Sequence, residues 1–379
     1  MKDRASADQA QDFLSILHDL NGNIERHGGD VAFTVFQNRD EFAASVRITW
    51  KELMQRAAWA AREMAAGSGL KRGDRALLAY PAGVEFLVAL LGCFQAGGVA
   101  VPLAPPRRRE RFDRWQHVAK DAEARAVLCS ASLSDQITPL VAEHSVCDLQ
   151  ILSATDVECP VPIDQTECAV ARLSPDDLAF LQYTSGSTSA PKGVMVTHGM
   201  LQANLNQIEM AFGYRPGDRT MSWLPHYHDM GLISLLGPIH SDVAHAILSP
   251  SAFLADPIRF LRLLGQFGAT IAGGPNFSFD HCVARAKTAD LAGVDLSKLR
   301  RLFTGAEIIR PETLRSFSKA FEPCGFSTKS FAGCYGLAEA TLCVSVCPPN
   351  SGPRIIEIAP DRLANGQVAE GAGSQLAES

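Results

Sequence analysis

One segment of the sequence has the residue types of an anion-binding loop. It runs Tyr183-Thr184-Ser185-Gly186-Ser187-Thr188-Ser189-Ala190-Pro191-Lys192-Gly193, between an apolar strand candidate, Leu178–Gln182, and a short one, Val194–Val196. Hydroxyls and glycine allow a tight hairpin loop whose amides and side-chain donors converge on an anion, and Lys192 adds a movable positive charge suited to phosphate. A structural loop can contain the same hydroxyls, but the Pro-Lys-Gly ending between two strands favours phosphate binding.

The segment differs from the phosphate loop of kinases and GTPases. Lys192 does lie six positions after Gly186, as the Walker A spacing requires. Pro191, however, replaces the second glycine of that motif, and Gly193 replaces its magnesium-binding Ser or Thr. A strand candidate also follows where that motif has a helix. These differences argue against a Walker A nucleotide site.

Three later segments also combine small, aromatic and ionisable residues. They are Trp223-Leu224-Pro225-His226-Tyr227-His228-Asp229-Met230-Gly231-Leu232, Thr304-Gly305-Ala306-Glu307 and Gly333-Cys334-Tyr335-Gly336-Leu337-Ala338-Glu339-Ala340-Thr341. His226 and His228 could be metal ligands or solvent-facing residues, but no third ligand follows at a recognisable zinc spacing, which argues against a metal. Taken alone, Glu339 could be a solvated surface charge, and the second segment an ordinary strand-to-helix turn.

Composition limits the class of protein that carries these segments. The chain has 379 residues, of which 46% are hydrophobic and 20% charged, as in globular proteins of two or three domains. Its 35 Lys and Arg against 41 Asp and Glu give a net charge of −6, which argues against a nucleic-acid partner. The sequence shows no secretory signal, and its 10 cysteines form no CxxC pair, so we expect a cytoplasmic protein with reduced thiols.

The most apolar stretch of the chain runs from Gly83 to Leu103. Glu85 and Gln95 interrupt it, and Pro102 lies at its end. A buried helix followed by a short strand explains this pattern better than a membrane span. We therefore expect no stable membrane insertion.

The elements that must position these segments alternate between strands and helices. Thr49 and Glu52 form a capping-box pattern before an apolar helical stripe, which should end at Gly67-Ser68-Gly69. Further strand candidates are Arg75–Tyr80, Val99–Val101, Ala126–Cys129, Thr220–Trp223, Ala246–Leu248, Thr270–Ala272 and Leu302–Thr304. Further helix candidates are Ala82–Gly97, Arg111–Ala124, Met200–Phe212, Pro257–Phe267, Ser278–Lys287 and Pro311–Phe321. This alternation predicts an α/β fold of two tandem lobes, each a mostly parallel sheet flanked by helices.

Taken together, the motifs resemble those of the adenylate-forming superfamily, which includes acyl-CoA synthetases, luciferases and nonribosomal adenylation domains. Its phosphate loop has the pattern T-S-G-S-T-G-x-P-K-G, which this chain matches at every fixed position except Ser189, where the pattern has glycine. Ser189, the W-L-P-x-x-H-D-M-G-L pattern and Ala338 are most similar to the fatty acyl-AMP ligase branch.

The resemblance implies a role for each motif. Phosphate-loop residues Thr184, Ser185, Gly186, Ser187 and Thr188 would bind ATP with the catalytic Lys192, and Gly305, Ala306, Glu307, Tyr335 and Gly336 would contact its adenosine part. Glu339 would coordinate Mg²⁺, with Thr188 as a second ligand, because Mg²⁺ takes one or two carboxylates plus substrate phosphates. His228 and Glu339 would be catalytic together with Lys192, and His228 would lie between the nucleotide and acyl sites and bind substrate with Met230 and Gly231.

The resemblance also places an acyl tunnel at Gly273-Gly274-Pro275-Asn276-Phe277-Ser278-Phe279-Asp280, with Asn276, Phe277 and Phe279 as substrate contacts. The two phenylalanines could equally be core residues. Each buried methylene contributes about 0.8 kcal/mol, so the length of the fatty acid should dominate substrate preference.

The resemblance covers the chain from about Arg47 to Val368. We expect residues 1–175 to form the first lobe, 176–347 the second lobe with the phosphate loop and acyl pocket, and 348–379 an insertion-like tail. In the family, a small β-rich subdomain with a ribose-binding Asp and a mobile C-terminal domain with a second Lys follow, and neither is found here. We therefore expect this chain to bind ATP or acyl-adenylate weakly and to adenylate slowly or not at all, because losing one preorganised donor typically costs on the order of 3–4 kcal/mol.

The expected function is the N-terminal part of a fatty acyl-AMP ligase. Such an enzyme uses ATP and Mg²⁺ to convert a fatty acid into acyl-adenylate and pyrophosphate, then passes the acyl group to the phosphopantetheine thiol of an acyl carrier protein, often for polyketide or lipopeptide synthesis. Two alternatives stay open at this point. One is an acyl-CoA ligase, and the other is a catalytically inactive nucleotide- or acyl-binding module.

Overall fold

The described part of the chain, in a computed structural model, falls into six stretches. They are residues 13–36, 46–106, 112–143, 149–153, 173–184 and 191–356. Within them, two mixed sheets are packed against helices, which confirms the predicted α/β fold class. None of the helices in these stretches combines the length and hydropathy needed to cross a membrane.

One of the two sheets has six strands. They are β3 (Arg75–Ala79), β4 (Val99–Leu103), β5 (Ala126–Cys129), β6 (Gln150–Leu152), β7 (Leu178–Thr184) and β8 (Lys192–Thr197). Their order is β6-β5-β3-β4-β7-β8, parallel throughout except for the antiparallel β7–β8 hairpin. The central strands consist mainly of Ala, Val and Leu and are almost wholly buried, as expected for a sheet covered on both faces.

The other sheet has eight strands. They are β1 (Val31–Phe36), β2 (Val46–Thr49), β9 (Arg219–Ser222), β10 (Ala244–Leu248), β11 (Ile271–Gly274), β12 (Arg301–Thr304), β13 (Phe331–Gly336) and β14 (Cys343–Val346). Their order is β14-β13-β12-β11-β9-β10-β1-β2. The pairs at the two edges are antiparallel, and all the others are parallel.

The α-helices in the described stretches connect these strands. They are α1 (Ile16–His27), α2 (Trp50–Gly67), α3 (Val84–Gln95), α4 (Phe112–Asp121), α5 (Ala131–Glu143), α6 (His198–Phe212), α7 (Asp229–His240), α8 (Pro250–Ala255), α9 (Pro257–Phe267), α10 (Asn276–Ala286) and α11 (Pro311–Phe321). Short 3₁₀ turns occur at Glu322–Cys324, Thr328–Ser330 and Ala338–Ala340.

The capping box predicted before α2 is confirmed. The Glu52 amide donates to Thr49 Oγ1 at 3.2 Å, and the Thr49 amide donates to Glu52 Oε2 at 2.8 Å. The apolar stretch that follows in the chain folds as the 12-residue helix α3 and the strand β4. Helix α3 packs closely on α2, since a Cβ on Gly92 would lie 2.9 Å from the carbonyl oxygen of Ala57. The prediction of a buried helix and strand is therefore confirmed.

Sheet membership does not follow the division expected at residue 175. Strands β1 and β2 come first in the chain but pair beside β10, whereas β7 and β8 follow residue 175 and complete the six-stranded sheet. Strand β7 is apolar and buried, so it is stable where helices or strands pack on both faces of the sheet. It meets this condition beside β4, where Phe180 pairs with Ala100. The division into lobes at residue 175 stays a prediction, and most of the expected tail, residues 357–379, lies outside the described residues.

A buried arginine joins the edge of the eight-stranded sheet to its surroundings. Arg301 on β12 is fully buried, and its guanidinium donates to the carbonyl oxygens of Ala211, Cys347 and Pro348 at 2.8–3.2 Å. The same guanidinium lies 5.4 Å from the centre of the Phe212 ring. Arg301 therefore connects the end of α6 to the chain that leaves β14.

Candidate functional site

The predicted phosphate loop lies at the tip of the β7–β8 hairpin. Thr184 ends β7 and Lys192 begins β8, and the two residues are register partners across the hairpin. Lys192 is exposed. The remaining predicted loop residues, Ser185, Gly186, Ser187 and Thr188, lie outside the described residues. The hairpin therefore presents one hydroxyl and one cation side by side at the base of the loop.

Close packing holds this hairpin in place. The Tyr183 hydroxyl donates to Asp121 Oδ2 at 2.6 Å, and a Cβ on Gly193 would lie 2.9 Å from Cζ of the Tyr183 ring. Burial and the hydrogen bond to Asp121 raise the pKa of Tyr183 well above its usual range, so the hydroxyl keeps its proton and remains a donor. Glycine is needed at position 193 because the tyrosine ring occupies the space of a side chain.

The Trp223–Leu232 segment, called the histidine segment below, turns from β9 into α7. The His228 amide donates to the carbonyl oxygen of Pro225 at 3.0 Å, which closes the turn. A Cβ on Gly231 would lie 2.0 Å from that same oxygen. Gln182 Nε2 on β7 donates to the Tyr227 carbonyl oxygen at 2.9 Å, so the segment is fixed to the phosphate hairpin. Gly231 thus serves close packing, and its contact with substrate stays a prediction.

The two histidines of this segment have different surroundings. His226 is 3% exposed, and its ring centre lies 4.1 Å from that of Phe86. Burial lowers the pKa of His226 to about 4, so the ring is neutral at pH 7. His228 is exposed, although the protein around its ring still lowers its pKa, against the opposing charge of Asp229. His228 is therefore the one of the two that solvent and small molecules can reach.

The Gly305–Glu307 turn follows β12 and has a constrained backbone. A Cβ on Gly305 would lie 3.0 Å from the Cys334 carbonyl oxygen, so the turn lies close against β13. Ala306 has a φ of 65°, in the left-handed region that costs an L-residue about 1–2 kcal/mol. Glu307 Oε1 accepts a hydrogen bond at 2.6 Å from the amide of Phe277, at the start of α10. The Glu307 side chain thus holds the turn, while Ala306 is exposed above it.

Strand β13 and the turn after it carry the aromatic and acidic residues of the last motif. Tyr335 is 62% exposed, and Glu339 is exposed on the Ala338–Ala340 turn. A Cβ on Gly336 would lie 2.1 Å from the Leu342 carbonyl oxygen, which also accepts from the Leu337 amide at 2.9 Å. The chain after the turn passes so close to Gly336 that no side chain fits at this position. The Tyr335 and Glu339 side chains on either side of it are exposed.

These segments, far apart in the sequence, meet in the structure. Cα atoms of the Ala338–Ala340 turn come within 8 Å of Cα atoms in β8, the strand that begins with Lys192. Burial raises the pKa of the Asp229 carboxyl, and the charge of Glu339 raises it further, so the histidine segment and Glu339 are also neighbours. The structure thus places the β7–β8 hairpin, the histidine segment and the Glu339 turn next to one another, and these segments carry the three residues predicted to be catalytic, Lys192, His228 and Glu339.

A cavity of about 260 Å³ opens beside this cluster. Five of the residues that line the cavity were predicted from the sequence as site residues. They are Met230, Gly305, Ala306, Tyr335 and Gly336. The other lining residues are mostly apolar and come from α6, α7, β12–β14 and the segments next to them; they are Ile208, Phe212, Tyr214, Asp229, Ile233, Ser234, Gly237, Phe303, Cys334, Leu342 and Cys343. Lining residues 229, 230, 233, 234 and 237 lie on one face of α7. Their helical spacing could have indicated this wall from the sequence, but the segment was not predicted as a helix.

The three residues predicted to line an acyl tunnel lie elsewhere. Asn276 is buried, with its amide oxygen accepting from the Arg310 amide at 2.9 Å and its amide nitrogen donating to Thr313 Oγ1 at 3.1 Å. Phe279 is buried in an aromatic cluster with Phe317 and Phe331. Phe277 is 44% exposed. None of the three lines the 260 Å³ cavity, so their contact with substrate stays a prediction.

Comparison with known proteins identifies relatives over most of the chain. Residues 21–363 match the family described as AMP-binding enzyme. A medium-chain-fatty-acid–[acyl-carrier-protein] ligase, JamA, of Moorena producens is 36% identical over 341 residues, 89% of this chain and 57% of that protein. A putative fatty-acid–CoA ligase, fadD21, of Mycobacterium leprae is 34% identical over 363 residues, 93% of this chain and 62% of that protein.

The structure also resembles a solved one. The fatty acyl-adenylate ligase from L. pneumophila, solved in complex with acyl adenylate and pyrophosphate, superposes with a TM-score of 0.83 at 33% identity. The match covers 93% of this chain and 61% of that chain. The present chain therefore spans about three fifths of the length of the relatives it matches.

Proposed function

Because the chain belongs to the AMP-binding enzyme family, we propose that it contains the nucleotide- and acyl-binding part of a fatty acyl-AMP ligase. The observation that carries this proposal is the meeting of the Lys192 hairpin, the histidine segment and the Glu339 turn beside one cavity. A polar, charged mouth and an apolar interior suit a ligand that is a nucleotide at one end and a fatty acyl chain at the other.

The proposed reaction joins a carboxylate to AMP. A carboxylate oxygen of the fatty acid attacks the α-phosphorus of ATP, the bond to the β-phosphate breaks, and pyrophosphate leaves. A free carboxylate is a poor acyl donor, whereas AMP is a good leaving group, so the product is activated for transfer. Thr184 and Lys192 would hold the phosphates, together with Ser185, Gly186, Ser187 and Thr188 of the loop. Lys192 would neutralise charge as the pyrophosphate separates.

The residues at the mouth fit a magnesium ion. The carboxylates of Asp229 and Glu339 are close enough for the charge of one to raise the pKa of the other, and a bound cation would relieve that repulsion. Mg²⁺ prefers carboxylate oxygens together with substrate phosphates. Glu339 would hold the ion, with Thr188 as a second ligand, and the ion would neutralise charge on the ATP phosphates.

The adenosine and acyl parts would occupy different regions of the site. Gly305, Ala306 and the exposed Tyr335 line the same cavity, and they suit an adenine base that stacks on the tyrosine ring and lies against backbone at its edge. The Ile and Phe side chains of the cavity would take the acyl chain. His228, at the exposed start of α7, would stand between the two regions.

The test is binding of MgATP to the full chain by calorimetry. We expect Glu339→Gln to weaken ATP binding in the presence of Mg²⁺ but not in its absence, because the carboxylate acts through the ion. The matched control is Glu322→Gln, which changes an exposed glutamate outside the cavity. Equal Mg²⁺ dependence in wild type and Glu339→Gln would contradict the assigned role.

A second candidate differs in the acyl acceptor. One relative is named as an acyl-carrier-protein ligase and another as a putative CoA ligase, so each acceptor has support. We favour a carrier-protein thiol, because Ser189 and the histidine segment are most similar to the acyl-AMP ligase branch. Transfer of acyl-adenylate to phosphopantetheinylated carrier protein but not to coenzyme A would support this choice, and turnover with coenzyme A would favour the alternative.

A further inference from the structure

The cavity extends along one face of α7. Asp229, the first residue of α7, lies at one end of this face, and Gly237 lies at its other end. Eight residues at the α-helical rise of 1.5 Å separate the two positions by about 12 Å. The two ends are called the Asp229 end and the Gly237 end below.

A tyrosine hydroxyl marks the Gly237 end. Tyr214 lines the cavity, and its hydroxyl oxygen lies 3.8 Å from the position that a Cβ on Gly237 would take. Because Gly237 has no side chain, nothing on α7 covers the hydroxyl at this point. Burial is the main cause that raises the pKa of Tyr214 above its usual range, so the group keeps its proton.

This hydroxyl is available to a ligand. Among the described residues, no group hydrogen-bonds the Tyr214 hydroxyl, whereas the nearby Ser234 hydroxyl donates to the Met230 carbonyl oxygen at 2.6 Å. The charged pair next to Tyr214, Asp218 and Arg300, is already joined by a salt bridge. A hydroxyl that faces a cavity from a mostly apolar wall can select a ligand that offers it a hydrogen-bonding oxygen at that point.

We propose that Tyr214 makes the cavity select fatty acids that carry an oxygen near the far end of the chain, such as an ω-hydroxy acid. The inference rests on the proposed function, and it takes the acyl carboxylate to lie beside Asp229 at the start of α7, next to the adenosine region at Gly305, Ala306 and Tyr335. An extended chain advances roughly 1.2 Å per bond, so about ten bonds span the distance to the Gly237 end. A hydroxyl on about the tenth carbon would then reach the Tyr214 hydroxyl.

The experiment compares three non-hydrolysable mimics of acyl-adenylate by calorimetry on the full chain. They are the sulfamoyl-adenosine derivatives of decanoic, 10-hydroxydecanoic and 3-hydroxydecanoic acid. We expect wild type to bind the 10-hydroxy compound about 3- to 10-fold more tightly than the decanoyl compound, the effect of one net hydrogen bond. Tyr214→Phe keeps the ring and should abolish this preference while leaving the ratio for the 3-hydroxy compound unchanged.

Ser318→Ala is the control, since it removes a hydroxyl on α11 that does not line the cavity and should leave the preference for the 10-hydroxy compound as in wild type. An equal preference in wild type and Tyr214→Phe, with all three compounds bound, would overturn the inference and leave the proposed function standing. Failure of wild type to bind any of the three compounds would overturn both.

Discussion

The close approach of Gly231 to Pro225 makes a quantitative prediction about how the histidine segment is held. Replacing Gly231 with alanine places a Cβ 2.0 Å from the Pro225 carbonyl oxygen, about 1.4 Å short of ordinary contact at 3.4 Å. That oxygen cannot move freely, because it accepts the hydrogen bond from the His228 amide at 3.0 Å. Relief therefore requires the start of α7 and the turn before it to separate.

The size of the effect follows from two opposing contributions. Forcing an extra carbon into a packed site costs about 1–3 kcal/mol, and the upper end applies here because the group it meets is backbone. Alanine gains about 1 kcal/mol over glycine within a helix. Gly231→Ala should therefore lower the free energy of unfolding by about 2 kcal/mol.

Gly237 on the same helix provides the control. A Cβ at that position has its nearest neighbour at 3.8 Å, an ordinary contact, so Gly237→Ala should show the helix gain alone. The two variants should then differ by about 3 kcal/mol in unfolding free energy.

Urea denaturation followed by circular dichroism measures this difference. With an m-value on the order of 3 kcal/mol per molar urea, the two midpoints should lie about 1 M apart at unchanged m. Equal midpoints would refute the argument that the turn from Pro225 into α7 needs glycine at position 231 to pack as it does.

Two further predictions concern residues outside the cavity. For His240, burial alone would lower the pKa, but Asp19, at 2.9 Å, and Glu209 outweigh it and raise the pKa above the ordinary value of about 6.5. The stabilisation from charged His240 is therefore full below about pH 6.5 and lost as the pH rises through the folded-state pKa. The difference in unfolding free energy between wild type and His240→Gln should fall from pH 6 to pH 9, and a difference that stays constant would contradict this role of His240. Arg301→Met should lower the unfolding free energy by about 2–4 kcal/mol in urea titrations, because three carbonyl oxygens lose a charged donor, and an unchanged midpoint would contradict that role.

Helices with strong local signals were predicted closely from the sequence. Helices α9 and α11 begin and end at the predicted residues, since each starts with proline at its first position and has one clear apolar face. Helix α7 was not predicted as a helix, because it is apolar on nearly all sides and contains Pro238, which removes the usual 3.6-residue pattern. Strands β1 and β14 were also missed, because both pair with partners that local patterns do not reveal.

Segments that could bind a ligand were easier to predict from the sequence than the shape of the cavity. Lys192, His228 and Glu339 lie in motifs whose residue types indicate phosphate and metal binding, and their roles stay predictions. Much of the cavity wall lies outside these motifs. Ile208 is on α6, Tyr214 follows α6 and Leu342 precedes β14, so they meet only through the packing of separate segments. Phe279 was predicted as a substrate contact or a core residue, and it packs against Phe317 between α10 and α11.

A double-mutant cycle on MgATP binding tests most directly whether the Lys192 hairpin and the Glu339 turn bind one nucleotide. Calorimetry on the full chain would give dissociation constants for wild type, Lys192→Met, Glu339→Gln and the double variant. The account predicts that each single change weakens binding and that the double effect departs from the sum by at least about 0.5 kcal/mol, as expected for residues that share a ligand. Effects that add within about 0.3 kcal/mol, or unchanged affinity in both single variants, would contradict it.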